Sequence, residues 1–154
     1  MELFTTFDGR LNRQRFWLGV LVLIVASLVL GIVLSLLLGG MGEAGLSLAS
    51  LLLYLLMLYP GLAIAIKRLH DRNKSAMPWA IIFFGPGLLL QIMQVLGIGF
   101  YPVQFESETL IVPDMLGMIV TLASAVVGIW ALIELGFLKG TKGPNAFGPD
   151  PLEQ

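Results

Sequence analysis

The chain consists of four long apolar runs separated by short polar connections. These runs cover about residues 16–38, 46–66, 77–100 and 115–138. A helix needs about 20 residues to cross a hydrocarbon core about 30 Å thick, and each run reaches that length. The pattern therefore predicts an all-α fold: a bundle of four transmembrane helices that forms a single membrane domain over residues 1–154.

The basic residues are confined to three polar segments. They are Arg10, Arg13 and Arg15 before the first run, Lys67, Arg68, Arg72 and Lys74 between the second and third, and Lys139 and Lys142 after the fourth. The other two connections hold only acidic charges, namely Glu43 in one and Glu106, Glu108 and Asp114 in the other. Because Lys and Arg near membrane spans stay on the cytoplasmic side, both termini are predicted to be cytoplasmic.

The composition fits a membrane protein and excludes several kinds of site. Charged residues make up 12% of the chain, whereas a soluble domain carries about 25%. The chain has no Cys and one His. Disulfides, thiolate or multi-His metal sites and Cys nucleophiles are therefore excluded within one chain. We expect no metal, no cofactor and no nucleic-acid partner.

The three basic segments are predicted to pack together as a polar cap on the cytoplasmic face. The segments are residues 7–15, 67–75 and 139–154. We expect Arg10 or Arg68 to bridge to Asp71 and to backbone carbonyls of the C-terminal segment. The candidate cap residues are Arg10, Arg13, Arg68, His70, Asp71, Arg72, Asn145 and Asp150.

The first and third segments have different local patterns. Asp8-Gly9 is typical of a turn, and a short amphipathic helix is predicted to follow it into the bilayer. The C-terminal segment is too rich in Pro and Gly for a helix. It either frays as a terminus or forms one compact loop if Phe147 docks on the protein.

The middle segment places four cations beside His70 and Asp71. One interpretation is charge that only sets the topology, and a second is a site for anionic lipid head groups, which basic clusters attract. A third is an acid–base pair in which Asp71 orients the imidazole of His70. No Ser or Cys nucleophile is indicated by the spacing, so we predict no catalytic residue.

Glu134 is the one ionisable residue inside a predicted span. An acid at membrane depth is a functional candidate, for example in proton coupling, unless it is held in an ion pair. We favour a structural pair with Arg15, Arg68 or another basic residue of the inner face.

Gly85-Pro86-Gly87 is predicted to break the third span. Proline removes a backbone donor and clashes with the preceding turn, and the flanking glycines weaken the helix further. In transporters such breaks expose carbonyls to ions or substrates, but they also serve packing. We favour packing.

The three polar segments carry motifs that resemble one known family. The matching residues are Gly9, Arg10, Arg13, Phe16 and Trp17, then Arg68, Leu69, His70, Asp71 and Ser75, then Gly140, Gly143, Asn145, Phe147, Gly148, Asp150 and Pro151. They resemble domain of unknown function 805, the YhaH-like proteins. The chain departs from that pattern at Ala76-Met77-Pro78-Trp79, which replaces Gly-Trp-Trp, and at Phe147, where Tyr is common. The resemblance implies a small multi-pass protein of the bacterial inner (plasma) membrane, and it brings no reaction, ligand or partner.

These patterns favour a non-enzymatic module whose basic cytoplasmic face binds anionic phospholipid or a partner protein. The alternative is a subunit of a small-solute or ion transporter or channel, although the spans offer few polar residues to line a path. An enzyme acting on a lipid head group is the third hypothesis. A homo-oligomer and an assembly with another membrane protein both remain open.

Overall fold

The computed structural model describes residues 2–105 and 108–153, and it is mostly helical. The helices are α1 (Arg13–Leu38), α2 (Glu43–Asp71), α3 (Trp79–Leu96) and α4 (Met115–Leu132), and the strands are β1 (Phe100–Phe105) and β2 (Glu108–Pro113). A 3-10 turn at Gly39–Met41 joins α1 to α2, and a π-helical turn at Ile133–Phe137 extends α4.

All four helices are long and apolar enough to cross a membrane. They pack in chain order, with α1 against α2, α2 against α3 and α3 against α4. Much of α1 is exposed, and its buried residues are Phe16 and Gly19 near its start. Apolar side chains exposed along the rest of α1, such as Leu28 and Leu36, match the hydrocarbon of a bilayer. The prediction of four helices with the length and hydropathy of membrane spans is confirmed.

The first membrane helix begins earlier than the apolar pattern suggests. The Asn12 side chain accepts a hydrogen bond from the Arg15 amide at 2.9 Å and so caps α1, which starts at Arg13. Asn is favoured at this position because its oxygen satisfies an amide that has no partner inside the helix. The predicted short helix after Asp8-Gly9 is thus the first part of α1 itself, and it begins only at Arg13, since residues 6–12 are not helical.

The Gly85-Pro86-Gly87 sequence does not interrupt α3, so the predicted break is not present, whereas the favoured packing role fits the contacts of this sequence. A neighbouring helix supports the weakened turn: the Tyr54 hydroxyl of α2 donates a hydrogen bond to the Phe84 carbonyl. The missing side chain of Gly87 makes room for the same tyrosine, since a Cβ there would lie 2.8 Å from the hydroxyl oxygen. Membrane helices tolerate Pro when neighbouring groups compensate in this way.

The connection between α3 and α4 is an antiparallel β-hairpin, which corrects the all-α prediction. Its register sets Phe100 opposite Pro113. The third helix ends at Leu96 because Gly97 adopts a left-handed conformation, with φ 65°, and so closes the helix. Glu106, one of the acidic residues expected in this connection, lies outside the described residues.

The buried core lies at the end of the bundle where the basic segments meet. Its members are Leu11, Phe16, Ile64, Ala65, Leu69 and Leu135. They come from the N-terminal segment, the beginning of α1, the end of α2 and the π-helical turn after α4. This core holds these four parts of the chain together, and the polar residues described next lie around it.

Candidate functional site

Asp71, the last residue of α2, binds two arginines. The Nη2 and Nε atoms of Arg10 lie 3.0 Å and 3.2 Å from its Oδ1, and Nη1 of Arg68 donates to its Oδ2. The side chains of Arg10, Arg68 and Asp71 are 1%, 0% and 5% exposed. Buried charges are tolerated when they are paired and their other donors are also satisfied. The carboxylate therefore offsets one of the two positive charges, and backbone carbonyls accept hydrogen bonds from the other guanidinium donors.

The other donors of Arg10 bind the C-terminal segment. Its Nη2 donates to the Thr141 carbonyl at 2.6 Å, and its Nη1 donates to the carbonyls of Gly143 at 2.7 Å and Gly148 at 3.3 Å. One guanidinium thus joins the N-terminal segment, the end of α2 and the C-terminal segment. These three segments form the polar cap, defined as residues 7–15, 67–75 and 139–153.

Gly140 allows the C-terminal segment to approach Asp71 closely. A Cβ at this position would lie 2.0 Å from Oδ2 of the carboxylate. Next to it, the amide and the hydroxyl of Thr141 both donate to the Asp71 carbonyl, at 2.8 Å and 3.0 Å. The segment therefore packs on both the side chain and the backbone of Asp71.

Arg68 binds carbonyl oxygens at the end of the fourth span. Its Nε donates to Leu135 at 2.7 Å, its Nη2 donates to Leu138, and its Nη1 reaches the Leu11 carbonyl at 3.3 Å. The last carbonyls of a helix have no partner inside it and carry partial negative charge. A buried guanidinium at this end satisfies them and complements the helix dipole.

All five carbonyls from residue 135 to residue 139 accept side-chain hydrogen bonds. Besides the two bonds from Arg68, the donors are Trp17 to Gly136 at 3.1 Å, Arg13 to Phe137 at 3.3 Å, and Arg72 to Lys139 at 2.9 Å. The end of the fourth span is thus fixed by side chains from α1, α2 and the loop after α2.

Glu134 is buried in the π-helical turn and pairs with two cations. Its Oε1 lies 2.6 Å from Nε of Arg72 and 2.7 Å from Nζ of Lys74. Both partners come from the loop after α2. Glu134 is therefore held in an ion pair with basic residues of the polar cap, as expected, although these are not Arg15 or Arg68, the two that the sequence suggested by name.

Residues 140–151 form a compact loop. The Asn145 side chain donates to the His70 carbonyl at 2.9 Å and to the Thr141 hydroxyl at 2.8 Å. The ring of Phe147 stacks on the imidazole of His70, with centroids 4.0 Å apart and planes 5° apart. Of the two alternatives for this segment, the structure shows the docked loop.

Asp150 closes this loop from within. Its carboxylate accepts hydrogen bonds from the amides of Leu152 at 3.0 Å and Gly143 at 2.8 Å. These two bonds, with a smaller contribution from the Arg10 charge, hold the pKa of Asp150 below its ordinary value, against the opposing effect of burial.

His70 and Asp71 do not form a carboxylate–imidazole pair. The Nδ1 atom of His70 lies 3.1 Å from the Gly9 carbonyl, whereas Asp71 is occupied by Arg10 and Arg68. Consecutive residues of a helix point about 100° apart, which separates the two side chains. Within the described ranges, no cluster of three His, Asp or Glu side chains is placed to hold a metal ion.

A cavity of about 270 Å³ opens beside the polar cap. It lies between the start of α1 and the C-terminal segment, and it is lined by residues 12–14, 139–142 and 150–152 together with Arg68 and Asp71. Arg13, Lys139 and Lys142 are the exposed cations of its wall. His70 is not part of its lining.

Several residues of the cap were absent from the sequence-based candidates. The Lys67 ammonium is buried and donates to the carbonyls of Glu2 and Leu3. No local pattern marks this residue, because its partners are backbone atoms far away in sequence. Trp17 and Gly140, by contrast, lie in the family motifs, and that signal could have identified both as contacts within the cap.

Four membrane-spanning helices and a polar cap that joins both chain ends define a small multi-pass membrane protein. The chain belongs to the family described as "Protein of unknown function (DUF805)", which matches residues 4–149, and the resemblance seen in the sequence is thereby confirmed.

The relatives of the chain include inner-membrane proteins of Escherichia coli (strain K12). Inner membrane protein YhaH is 27% identical over 94% of this chain and 86% of its own length. Inner membrane protein YhaI is 37% identical over 52% of this chain and 63% of its own length, and uncharacterized protein YiiR is 28% identical over 94% and 85%. No solved structure matches. The chain is thus a multi-pass inner-membrane protein, and its relatives indicate no enzymatic activity.

Proposed function

We propose that this protein is a non-enzymatic membrane module whose basic end faces the cytoplasm and binds the head groups of anionic phospholipids. Both termini are then cytoplasmic. The confinement of all nine Lys and Arg residues to the three segments of the polar cap supports this orientation.

The division of the basic side chains into two sets carries the proposal. One set is buried or half-buried and is bonded to carboxylates or backbone carbonyls inside the protein; it consists of Arg10, Lys67, Arg68, Arg72 and Lys74. The other set is exposed and has no acidic partner in residues 2–105 and 108–153; it consists of Arg13, Arg15, Lys139 and Lys142. Each Lys or Arg near an anionic membrane surface contributes about 1 kcal/mol of attraction. The second set is therefore available to bind lipid.

The exposed cations lie beside aromatic residues that suit the membrane interface. The rings of Trp17 and Phe137 pack edge to face, 5.7 Å apart, and both residues are exposed. Arg13 reaches the Phe137 carbonyl from the same place. Because Trp and other aromatic residues collect at head-group depth, the neighbouring cations lie at the level of lipid phosphates.

A transporter or channel subunit is less well supported. The buried charged residues among the described ranges are Lys67, Arg68, Asp71, Glu134 and Asp150, and the side chain of Arg10 is buried as well. All of them lie in the polar cap or contact it, and all are engaged in internal bonds. The uninterrupted α3 likewise offers no unwound segment for an ion or substrate.

A lipid head-group enzyme is also less well supported. It would use His70 and Asp71 as an acid–base pair, yet Asp71 is bonded to two arginines and His70 contacts a carbonyl and the Phe147 ring. His70 also does not line the cavity beside the cap.

Native mass spectrometry of the full chain released from gently extracted membranes tests the proposal, because it reports subunit number and retained ligands together. The wild type is compared with a variant in which Arg13, Arg15, Lys139 and Lys142 are all changed to Gln. We expect the wild type to retain anionic phospholipid and the variant to lose most of it, while retained zwitterionic lipid, the internal control, stays unchanged.

Equal retention of anionic lipid by both proteins would overturn the proposal. If the protein retained a small solute in place of lipid, the proposal would be overturned and the transporter hypothesis would be supported. Retention of a protein partner, lost in the variant, would show that the basic face binds protein instead.

A further inference from the structure

We propose that the cavity beside the polar cap is a defined site for one phosphate group, carried by a glycerophosphate-type head group. This inference rests on the proposed function and deepens it, since it replaces a diffuse basic surface with a specific site. The residues assigned to direct contact with the phosphate are Arg13, Lys139 and Lys142.

The charge of the cavity wall favours an anion. Four cationic and two anionic side chains line the cavity, which leaves a surplus of two positive charges. Both carboxylates are already occupied: Asp71 binds two arginines, and Asp150 binds two backbone amides. The guanidinium of Arg68 is likewise bonded within the cap, to Asp71 and to backbone carbonyls. The cations of the wall that have no carboxylate partner are therefore Arg13, Lys139 and Lys142.

The types of side chain suit a phosphate ester. A guanidinium presents a planar fork of donors that matches two phosphate oxygens, and ammonium groups add point charges that adapt to the remaining oxygens. Neutral groups in the same wall, the amides of Asn12 and Gln14, can bond the hydroxyls of a glycerol moiety. The wall thus combines cations for the phosphate with neutral donors and acceptors beside them.

The size and position of the cavity limit what enters it. Its volume of about 270 Å³ is close to the lower limit of about 300 Å³ for small-molecule sites, so it can hold a head group but not acyl chains. The first turn of α1 forms one wall, and Trp17 of the same helix lies one turn further along. Acyl chains of a bound lipid can therefore extend along the apolar surface of α1.

The test is a titration of the purified full chain in detergent with phosphatidylglycerol, followed by native mass spectrometry. The variants Arg13→Gln and Lys139→Gln each remove one charge from the cavity wall. Arg15→Gln is the matched control, because Arg15 is exposed and close in sequence but does not line the cavity. Loss of a charged contact predicts at least about tenfold weaker binding for the two cavity variants. The Arg15→Gln control loses only the long-range attraction between one cation and the anionic lipid. Its affinity for phosphatidylglycerol is therefore expected to fall by about fivefold at most.

The outcomes separate this site from the broader proposal. Equal weakening by Arg13→Gln, Lys139→Gln and Arg15→Gln would overturn the defined site and leave lipid binding by the basic face intact. If no variant bound lipid more weakly than the wild type, including the variant with all four exposed cations changed to Gln, both the defined site and lipid binding by the basic face would be overturned. Lys139→Arg keeps the charge and is expected to bind within about threefold of the wild type. Its thermal midpoint and those of the Gln variants show whether each protein is folded.

A second arm identifies the source of the phosphate. Glycerol 3-phosphate is added to the lipid-free protein, and then to the protein saturated with phosphatidylglycerol. Binding of the lipid alone assigns the site to a membrane lipid, whereas binding of glycerol 3-phosphate alone assigns it to a soluble phosphate ester. Binding of neither compound overturns the site.

Discussion

Arg10 and Asp71 lie 61 positions apart in the chain, yet Nη2 of Arg10 is 3.0 Å from Oδ1 of Asp71. Arg10 precedes the first span and Asp71 ends the second. The same guanidinium binds the carbonyls of Thr141 and Gly143, which follow the fourth span. One ion pair therefore joins three segments that a topology diagram would show only as separate loops on one side of a membrane.

Gly140→Ala is expected to destabilise the protein by about 3 kcal/mol, as overpacked buried sites do. The added Cβ would lie 2.0 Å from Oδ2 of Asp71, so either the carboxylate or the C-terminal segment must move. The free energy of unfolding in detergent measures the effect.

Gly128→Ala is the matched control for this substitution. It adds the same methyl group within α4, where no atom other than the chain neighbours and the helix's own backbone lies within 4 Å of the new Cβ. It is expected to be neutral or to stabilise the helix by up to about 1 kcal/mol. If Gly140→Ala behaved in the same way, Gly140 would not be in close contact with Asp71.

Glu134→Gln is expected to lower stability by about 2 kcal/mol, because it leaves two partly buried cations without their carboxylate. Lys74 retains some stabilisation, since its Nζ lies 4.2 Å from the centroid of the Trp79 ring. Glu43→Gln, at an exposed position outside the polar cap, is the control. Equal thermal midpoints for the two variants would show that the Glu134 ion pair is not structural.

The C-terminal loop is expected to loosen in acid through Asp150. Its pKa in the folded protein is held below the ordinary value of 3.8 by the amides of Leu152 and Gly143. A lowered pKa stabilises the loop above about pH 4, and this contribution is lost as the pH falls through the folded-state pKa. Hydrogen exchange of residues 140–153, followed from pH 7 down through the folded-state pKa, measures this loss.

Asp150→Asn provides the comparison for this pH dependence. The variant should exchange faster than the wild type at neutral pH, and the difference should shrink as the pH falls through the folded-state pKa of Asp150 and the wild-type carboxyl becomes neutral. Parallel profiles with a constant difference would show that the charge of Asp150 does not hold the loop.

The orientation of the bundle can be tested with single cysteines, since the chain has none of its own. Tyr101→Cys and Glu153→Cys place a thiol at exposed positions of β1 and of the C-terminal segment. In spheroplasts treated with a membrane-impermeant maleimide, only the thiol at position 101 should react. The thiol at position 153 should react after the membrane is permeabilised. The opposite pattern would place the polar cap outside.

Much of the fold could be predicted because it depends on the hydropathy and charge of long segments and not on individual contacts. The lengths of the apolar runs and the confinement of basic residues identify four spans without any knowledge of contacts. The pairing of Asp71 with arginine could also be predicted, because it is the sole carboxylate in a segment with four cations. Its bonds to Arg10 and Arg68 agree with that expectation.

Features that depend on contacts between distant residues could not be predicted. The helix continues through Pro86, and the Tyr54 hydroxyl of another helix binds the carbonyl of Phe84 two residues before it. The β-hairpin carries no Asn-Gly or Asp-Gly turn signal, and Pro102 interrupts its strand pattern. The partners of Glu134 depend on the π-helical turn, which changes the direction of side chains by inserting a residue.

The most direct test of the polar cap as a single unit is a double-mutant cycle between Arg10→Gln and Asp71→Asn, measured as free energies of unfolding. Each single change breaks a buried ion pair and should cost about 3–5 kcal/mol. The pair should show a coupling energy of about 1–3 kcal/mol, whereas the control cycle of Arg15→Gln with Asp71→Asn should be additive within about 0.5 kcal/mol. A coupling for Arg10 no larger than that for Arg15 would contradict the joining of the three segments at Asp71.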